Sequence, residues 1–401
     1  MKNFLSHLPE NKQYEIHRIV EIIWEVALHW LVKKLNNMKI IKILSLALAC
    51  GVQSFTFAQS LKAGFDKIEY IELLKAYSRW GDSTFYQGID ESTKFRQVYR
   101  SPVVGLDNSW ELYASHDNTT AVISVRGTTA NATSWLANFY AAMIPAKGVI
   151  NLSDSVVFNY ELAKNPKAAV HVGWLVATAF LTPDILPRID SCYRSGIRDF
   201  IILGHSQGGA IAYLLTSHLR HLLESGKLPD NIRFKTYCSA APKPGNLYYA
   251  YEFENQTAGG WSFNVVNAAD WVPETPISIQ TVNDFNKTNP FVNAEKLIKR
   301  QKFPQRLFVR HLYSQLTKHT RKAQKRYEKY LGRMTSKYVT KQYPQFKVPA
   351  YFHSNDYVRV GNIVVLMPDT AYYETFPDNG KQLFIHHKLQ AYLFLAERLD
   401  K

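Results

Sequence analysis

The sequence predicts an α/β fold: a mostly parallel central sheet, helices on both its faces, and a basic helical insertion ahead of the last strand. Three observations carry this expectation. From residue 59 onward short apolar runs alternate with helical patterns, and strands that alternate with helices pair in parallel. One of these runs, FIIL, passes through GHSQG into AIAYLL, which reads as strand, tight turn and helix with a serine between two glycines. Finally, the positive charge is confined: residues 295–347 hold sixteen Lys or Arg against two acids, at helical spacing.

The composition sets the outer limits. A chain of 401 residues that is 46% hydrophobic and 13% aromatic can bury a large core, which excludes a disordered protein. The formal charge of +15 would suit an anionic partner, but +14 of it lies in residues 295–347 and +3 in the first 58, so the remaining body is nearly neutral. Three cysteines, Cys50, Cys192 and Cys238, fit neither a disulfide framework nor paired zinc ligands, and allow one optional Cys192–Cys238 bridge. No cofactor and no metal site is expected.

Taken in chain order, residues 1–37 form a helical N-terminal extension (YEIHRIVEIIWEVALHWLVKKL). Residues 38–58 read as a signal peptide. Lys39 and Lys42 precede an apolar stretch, and Thr56 and Ala58 stand at −3 and −1 of a cut before Gln59. Gly51, Gln53 and Ser54 interrupt that stretch well short of the roughly 20 residues a membrane span needs. A lipid anchor on Cys50 is the weaker alternative, because Ala47 is a poor −3 residue. A helix ahead of a signal peptide is unusual, and a misassigned start with Met38 as initiator explains it most simply. The body from 59 to 401 then carries five buried-strand candidates, at 120–127, 199–206, 234–240, 263–270 and 359–367. The helix that starts at the serine ends on Gly226, a common helix stop. Between Trp135 and Ala169 an apolar segment (Trp135, Phe139, Tyr140, Met143, Ile144) fits either a mobile cover or an ordinary crossover helix. The basic insert offers Leu307, Phe308, Leu312 and Leu316, then Tyr327, Tyr330 and Leu331, for an apolar stripe, and it fits either peripheral contact with an anionic membrane or a solvated face.

Ser206 is the candidate nucleophile. An acyl-transfer serine sits on a strained strand-to-helix turn, where glycines two before and two after leave room for the backbone, and Gly204 and Gly208 occupy those positions. G-x-S-x-G arises by chance in roughly one such chain in seven to ten, and a serine that merely caps a helix has the same local context. What separates the two is an acid and then a base downstream, in the order Ser, Asp, His. Asp270 ends an apolar run in VVNAADWVPETP, and His386 and His387 follow in LFIHHKLQAYLFL.

These segments together resemble the class 3 lipases, the fungal-lipase-like branch of the α/β hydrolases. GHSQGGAIA is similar to that family's G-H-S-L-G-G-A, with Gln207 in place of Leu, and VISVRGTTANATSWLANF to its strand ending in R-G-T or R-G-S followed by a tryptophan. HVGWL resembles H-x-G-F, with Trp174 for Phe; SAAPKPGN and VVNAADWVPETP are like its next two motifs, and HKLQAYL is similar to H-x-L-x-x-Y-L. The matches run in family order from about Ala121 to Leu393. The resemblance implies an α/β-hydrolase fold with Ser206, Asp270 and His387 as the catalytic triad. It implies an oxyanion hole from Thr128 and the Gln207 backbone N–H, an elbow of Gly204, His205 and Gly208, and a structural role for His205. The segment around Trp135 falls where the family has its lid.

The function expected is an exported serine carboxylic ester hydrolase of triacylglycerol lipase or carboxylesterase type (EC 3.1.1.-), periplasmic, cell-surface or secreted, cleaving acyl lipids through an acyl-enzyme. The alternatives are a phospholipase on anionic membranes and a catalytically silent lipase-fold lipid-binding protein. A nucleic-acid binder would account for the basic helices but not for the elbow, and no obligate protein partner is evident.

Overall fold

The computed structural model describes residues 10–35, 61–80, 87–378 and 380–399. The expected signal peptide, with Cys50, lies outside the described residues. The chain divides into two compact units, 1–58 and 59–401. In the first, α1 (Glu10–Leu35) is a helix on which Ile19, Ile23, Trp24 and Trp30 are exposed.

The second unit begins with α2 (Lys67–Tyr77), started by the Asp66 carboxylate accepting from Glu69 N–H. Then come β1 (Phe95–Arg100), β2 (Trp110–Ser115), β3 (Thr120–Val125), α3 (Ala132–Phe139), β4 (Met143–Pro145), β5 (Lys147–Asn151), β6 (Val157–Glu161) and β7 (Ala169–His171). They are followed by α4 (Val172–Arg194), β8 (Asp199–His205), α5 (Gln207–Glu224), β9 (Arg233–Ser239), β10 (Gly245–Asn246), α6 (Leu247–Gln256) and β11 (Ser262–Asn267). The last part holds α7 (Ala294–Arg300), α8 (Gln305–Glu328), a π-helical turn (Lys329–Met334), α9 (Thr335–Gln342), β12 (Tyr357–Val358), β13 (Asn362–Leu366), α10 (Thr370–Thr375) and α11 (Leu389–Arg398).

Seven strands form the central sheet in the order β1-β2-β3-β8-β9-β11-β13. The five strands expected from sequence are the parallel ones, β3, β8, β9, β11 and β13, and β1 and β2 add an antiparallel edge. Both faces are covered, which explains why these strands read as unbroken apolar runs. Phe200 and Ile202 of β8 pack under α4 and α5, while Ile201 and Leu203 pack on the opposite side with Tyr70, Leu73 and Leu74 of α2 and Leu389, Tyr392 and Leu395 of α11. This is the α/β-hydrolase fold, with the basic insertion before the last strand. A small antiparallel sheet, β12-β10-β7-β4, and the β5-β6 hairpin lie outside the central one.

Three expectations are corrected here. Cys192 and Cys238 are free thiols, on α4 and β9, and make no bridge. Of the apolar segment after Trp135, Tyr140, Met143 and Ile144 are buried and only Phe139 stands well exposed. The insert and the chain just after it cover them: Ala142 N–H donates to Leu331 O, and Tyr140 and Tyr351 hydroxyls share a 3.1 Å hydrogen bond. In the insert itself the early apolar residues build no buried stripe, for Leu307, Phe308, Leu312 and Leu316 are all exposed.

Helix α2 is fastened to the sheet by a buried ion pair. Lys235 Nζ on β9, 1% exposed, lies 2.6 Å from Glu69 Oε1, which also accepts from Tyr237 Oη at 2.6 Å. Removing one partner of such a pair strands a buried charge, at a cost of about 3–5 kcal/mol. Glu69→Leu should therefore lower unfolding free energy in denaturant titrations by roughly that amount. Adding Lys235→Met should restore most of it. Equal losses in the single and double variants would mean that the pair is not what holds α2.

Candidate active site

Ser206 sits between β8 and α5 with φ 61° and ψ −133°, a conformation that non-glycine residues adopt only where the surroundings impose it. Its position is formally that of a helix cap, but its side chain makes no capping hydrogen bond, so capping is not its role. The flanking glycines are required by contact distance. A Cβ on Gly204 would meet Gly208 O at 2.1 Å, and one on Gly208 would meet Val125 O at 2.2 Å. The turn is tied down by Ser206 N–H donating to Ser239 O at the end of β9.

Asp270 lies three residues beyond β11 and is 3% exposed. Its Oδ2 accepts from His387 Nδ1 at 2.7 Å and from Tyr392 Oη at 2.8 Å, and its Oδ1 accepts from Val272 N–H at 3.0 Å. Burial pushes this carboxyl up, but the charge of His387 and these three donors outweigh burial and hold it below the ordinary carboxylate range. With Nδ1–H bound to a carboxylate, Nε2 of His387 carries the free lone pair. His386 is turned elsewhere: its Nδ1 meets Tyr372 Oη at 2.8 Å and its Nε2 meets Asp378 Oδ1 at 3.0 Å. Both histidines lie in a 310 turn, Ile385–His387.

The structure thus joins Asp270 and His387, 117 residues apart, by direct hydrogen bond. It links them to the elbow through His205, the residue before the serine. His205 Nε2 reaches His387 O at 2.9 Å, its Nδ1 reaches Ser239 Oγ at 3.0 Å, and the two imidazole centroids are 4.9 Å apart. Burial, then the His387 charge, pull the His205 pKa down to about 3, so it stays neutral beside the other ring. No hydrogen bond joins Ser206 Oγ to His387 among the described residues.

Thr128 stands on the loop after β3. Its hydroxyl donates to Gln207 Oε1 at 3.2 Å and accepts from Asn138 Nδ2 at 2.9 Å. Asn138 Oδ1 in turn accepts from Trp174 Nε1 at 3.0 Å. The Gln207 amide also spans Ser134, accepting from its Oγ and donating to its O. Gln207 is the first residue of α5, so its backbone N–H has no helical acceptor and is available to an anion. Sequence reasoning did not assign Tyr392, Asn138 or Ser134. Tyr392 was within reach as the tyrosine of HKLQAYL, whereas Asn138 and Ser134 matter only through tertiary contact. Among the described residues no group of His, Cys, Asp and Glu is arranged to hold a metal ion.

A half-buried serine on a strained turn, a buried carboxylate–imidazole pair and the helix N-terminus that follows the serine are the parts of an acyl-transfer site. Residues 122–279, which include Thr128, Ser206 and Asp270, match the class 3 lipase family. Over this stretch the chain is similar to the class 3 lipases. A secreted mono- and diacylglycerol lipase 1 of Fusarium solani is 27% identical over 177 residues, 43% of this chain and 45% of that protein. A secreted mono- and diacylglycerol lipase of Malassezia globosa is 31% identical over 116 residues, 28% of this chain and 36% of that one. The chain thus spans less than half the length of the curated relatives it matches. Among solved structures, lipase II from Rhizopus niveus aligns with a TM-score of 0.37 at 20% identity, covering 53% of this chain and 77% of that one.

Tyr392→Phe deletes one of the two donors to Asp270 Oδ2 without changing shape. A hydrogen bond to a charged group is worth about 1.5–3 kcal/mol, and stability at neutral pH should fall by that order. Because the carboxyl is held below its unfolded value, this contribution is present above the unfolded pKa and is lost as pH falls through the folded one. The gap between variant and parent in denaturation midpoints should close on acidification. A gap that is constant with pH would show that the hydroxyl does not act on the carboxylate.

Proposed function

We propose that this chain is a serine ester hydrolase that cleaves the acyl esters of lipids through an acyl-enzyme. The observation that carries the reading is the His387–Asp270 hydrogen bond, because it brings a base from outside the family-matched residues to the acid within them. Ser206 Oγ attacks the ester carbonyl while His387 Nε2 takes its proton. The oxyanion is met by the N–H of Gln207 and by Thr128, donors of a kind worth about 3 kcal/mol each in the transition state. The tetrahedral intermediate collapses, His387 returns the proton to the departing alcohol, and water, activated by the same imidazole, releases the acid. Asp270 holds the ring and its tautomer throughout.

Thr128 needs one adjustment to serve. Its hydroxyl hydrogen points to Gln207 in the resting arrangement, so it must turn toward the substrate while Asn138 keeps hold of the oxygen. A phospholipase acting on anionic membranes is the second reading, favoured by the charge of residues 295–347. Nothing specific favours a catalytically silent lipid-binding protein.

Ser206→Ala should abolish hydrolysis of p-nitrophenyl esters and triglycerides with its melting temperature retained. His387→Ala should lose several orders of magnitude, as triad members do, and His386→Ala far less. A folded Ser206→Ala protein with near-parental activity, or the reverse ranking of the histidines, would overturn the reading. A panel that adds phosphatidylglycerol decides between the two lipid substrates.

We also propose export. The order of lysines, apolar stretch and small residues over 38–58 supports it, and the two relatives carry the word secreted in their names. Mass spectrometry of the native protein should find its N-terminus at or near Gln59. Active protein that retains Met1 would refute it.

A further inference from the structure

Helix α8 is amphipathic the wrong way round for a helix packed on a body. The side it turns inward is polar: Thr317, Gln324 and Glu328, at i, i+7 and i+11, are 6%, 7% and 5% exposed. The side it turns outward is apolar. Phe308, Leu312 and Leu316, at i, i+4 and i+8, are 66%, 45% and 73% exposed, and Phe303 just ahead of the helix is 74% exposed. At 100° per residue Lys318, Lys322, Lys325 and Arg326 fall on an adjoining arc of the same surface, and all four are exposed. The helix has one acid, Glu328, which is held by Arg333 and His353, so none of the four cations has an ion-pair partner among the described residues.

We propose that α8 is an anchor for an anionic lipid surface, with Phe308, Leu312 and Leu316 entering the level of the headgroups and acyl ends while the neighbouring lysines and arginine lie on the phosphates. The inference rests on the reading of this protein as a lipid hydrolase for its purpose, though not for its test. A helix of this type, with aromatic and leucine side chains on one arc and Lys or Arg beside them, lies in the plane of a membrane interface. Its 24 residues extend about 36 Å. Charge decides between occupants: a second copy placed face to face would bring two inserts of +14 together, whereas anionic headgroups neutralise one.

The anchor is also joined to the active site by short steps. After α8, Leu331 O accepts from Ala142 N–H, and Gln342 Nε2 donates to Thr133 Oγ1 on α3 at 2.7 Å. Helix α3 carries Asn138, whose amide holds the Thr128 hydroxyl. A chain of contacts thus runs from the segment that follows α8 to the Thr128 loop.

The test uses the full chain bearing Ser206→Ala, so that no lipid is consumed, and sedimentation with vesicles of phosphatidylglycerol and phosphatidylcholine at 1:1 or of phosphatidylcholine alone. Binding should be at least tenfold tighter to the anionic vesicles and should weaken from 0.1 to 1 M salt, as the Debye length falls from about 10 Å to 3 Å. Phe308→Ser with Leu312→Ser and Leu316→Ser should weaken binding to anionic vesicles by roughly tenfold or more. Lys318, Lys322, Lys325 and Arg326 changed together to Gln should weaken it by roughly thirtyfold or more. These side chains are exposed, so both variants should melt with the parent. Parental binding by either variant, or equal binding of the parent to both vesicles, would overturn the proposal. So would a serine variant that binds vesicles normally but changes a dimer to a monomer in velocity sedimentation, since a second copy would then be what covers the face. Vesicle binding without ester hydrolysis by the unsubstituted protein would sink the hydrolase reading alone, and hydrolysis without vesicle binding would sink only the anchor.

Discussion

The hydrogen bond from His387 Nδ1 to Asp270 closes a loop of 117 residues, and the placement of everything between them has to respect it. Asp270 is set by the end of β11, a strand paired on both sides between β9 and β13, so it is as fixed as the sheet. His387 rides on a short turn with no sheet of its own. It is held from three directions: by the carboxylate, by His205 at its backbone carbonyl, and by α11, whose Tyr392 returns to the same carboxylate. The basic insert lies wholly within that loop. Between the acid and the base the chain can therefore lengthen and acquire new helices without disturbing the pair, since loop closure grows costly only slowly with length.

The parallel strands were legible because burial on both faces removes polar residues from them, and TAVISV and DFIILGH need no partner to be recognised. The antiparallel edge was not. FRQVYR in β1 exposes four of its six residues and carries two arginines, so it lacks the apolar signature that marks a central strand. Tyr140, Met143 and Ile144 were read among candidates for a cover because an amphipathic pattern states which residues seek burial and not what will bury them; here the insert does. In the site, the serine and its glycines are a local signal, since their spacing reflects one tight turn. Choosing His387 over its neighbour took the resemblance of HKLQAYL; in the structure His387 meets Asp270, whereas Tyr372 and Asp378 occupy His386. Asn138 and Ser134 carry no local signal at all, for their importance comes from where α3 is placed.

Two departures from the family pattern turn out to be one. Trp174 holds Asn138, Asn138 holds Thr128, and Thr128 meets Gln207, so the tryptophan and the glutamine stand at opposite ends of a single chain of hydrogen bonds. His171 stacks on Trp174 at 3.6 Å and fixes the indole from the other side. A leucine at 207 would leave the threonine hydroxyl one acceptor fewer, and a phenylalanine at 174 would leave the asparagine carbonyl without its indole donor. The pair is therefore expected to be inherited together, and either residue alone is the less favourable combination.

The backbone at Ser206 has one more consequence. A serine held at φ 61° and ψ −133° costs on the order of 1–3 kcal/mol relative to relaxed backbone, and glycine in its place would escape most of that cost. The protein is thus less stable than a Ser206→Gly variant a single codon away. Selection of this chain for heat resistance alone runs downhill toward replacement of that serine.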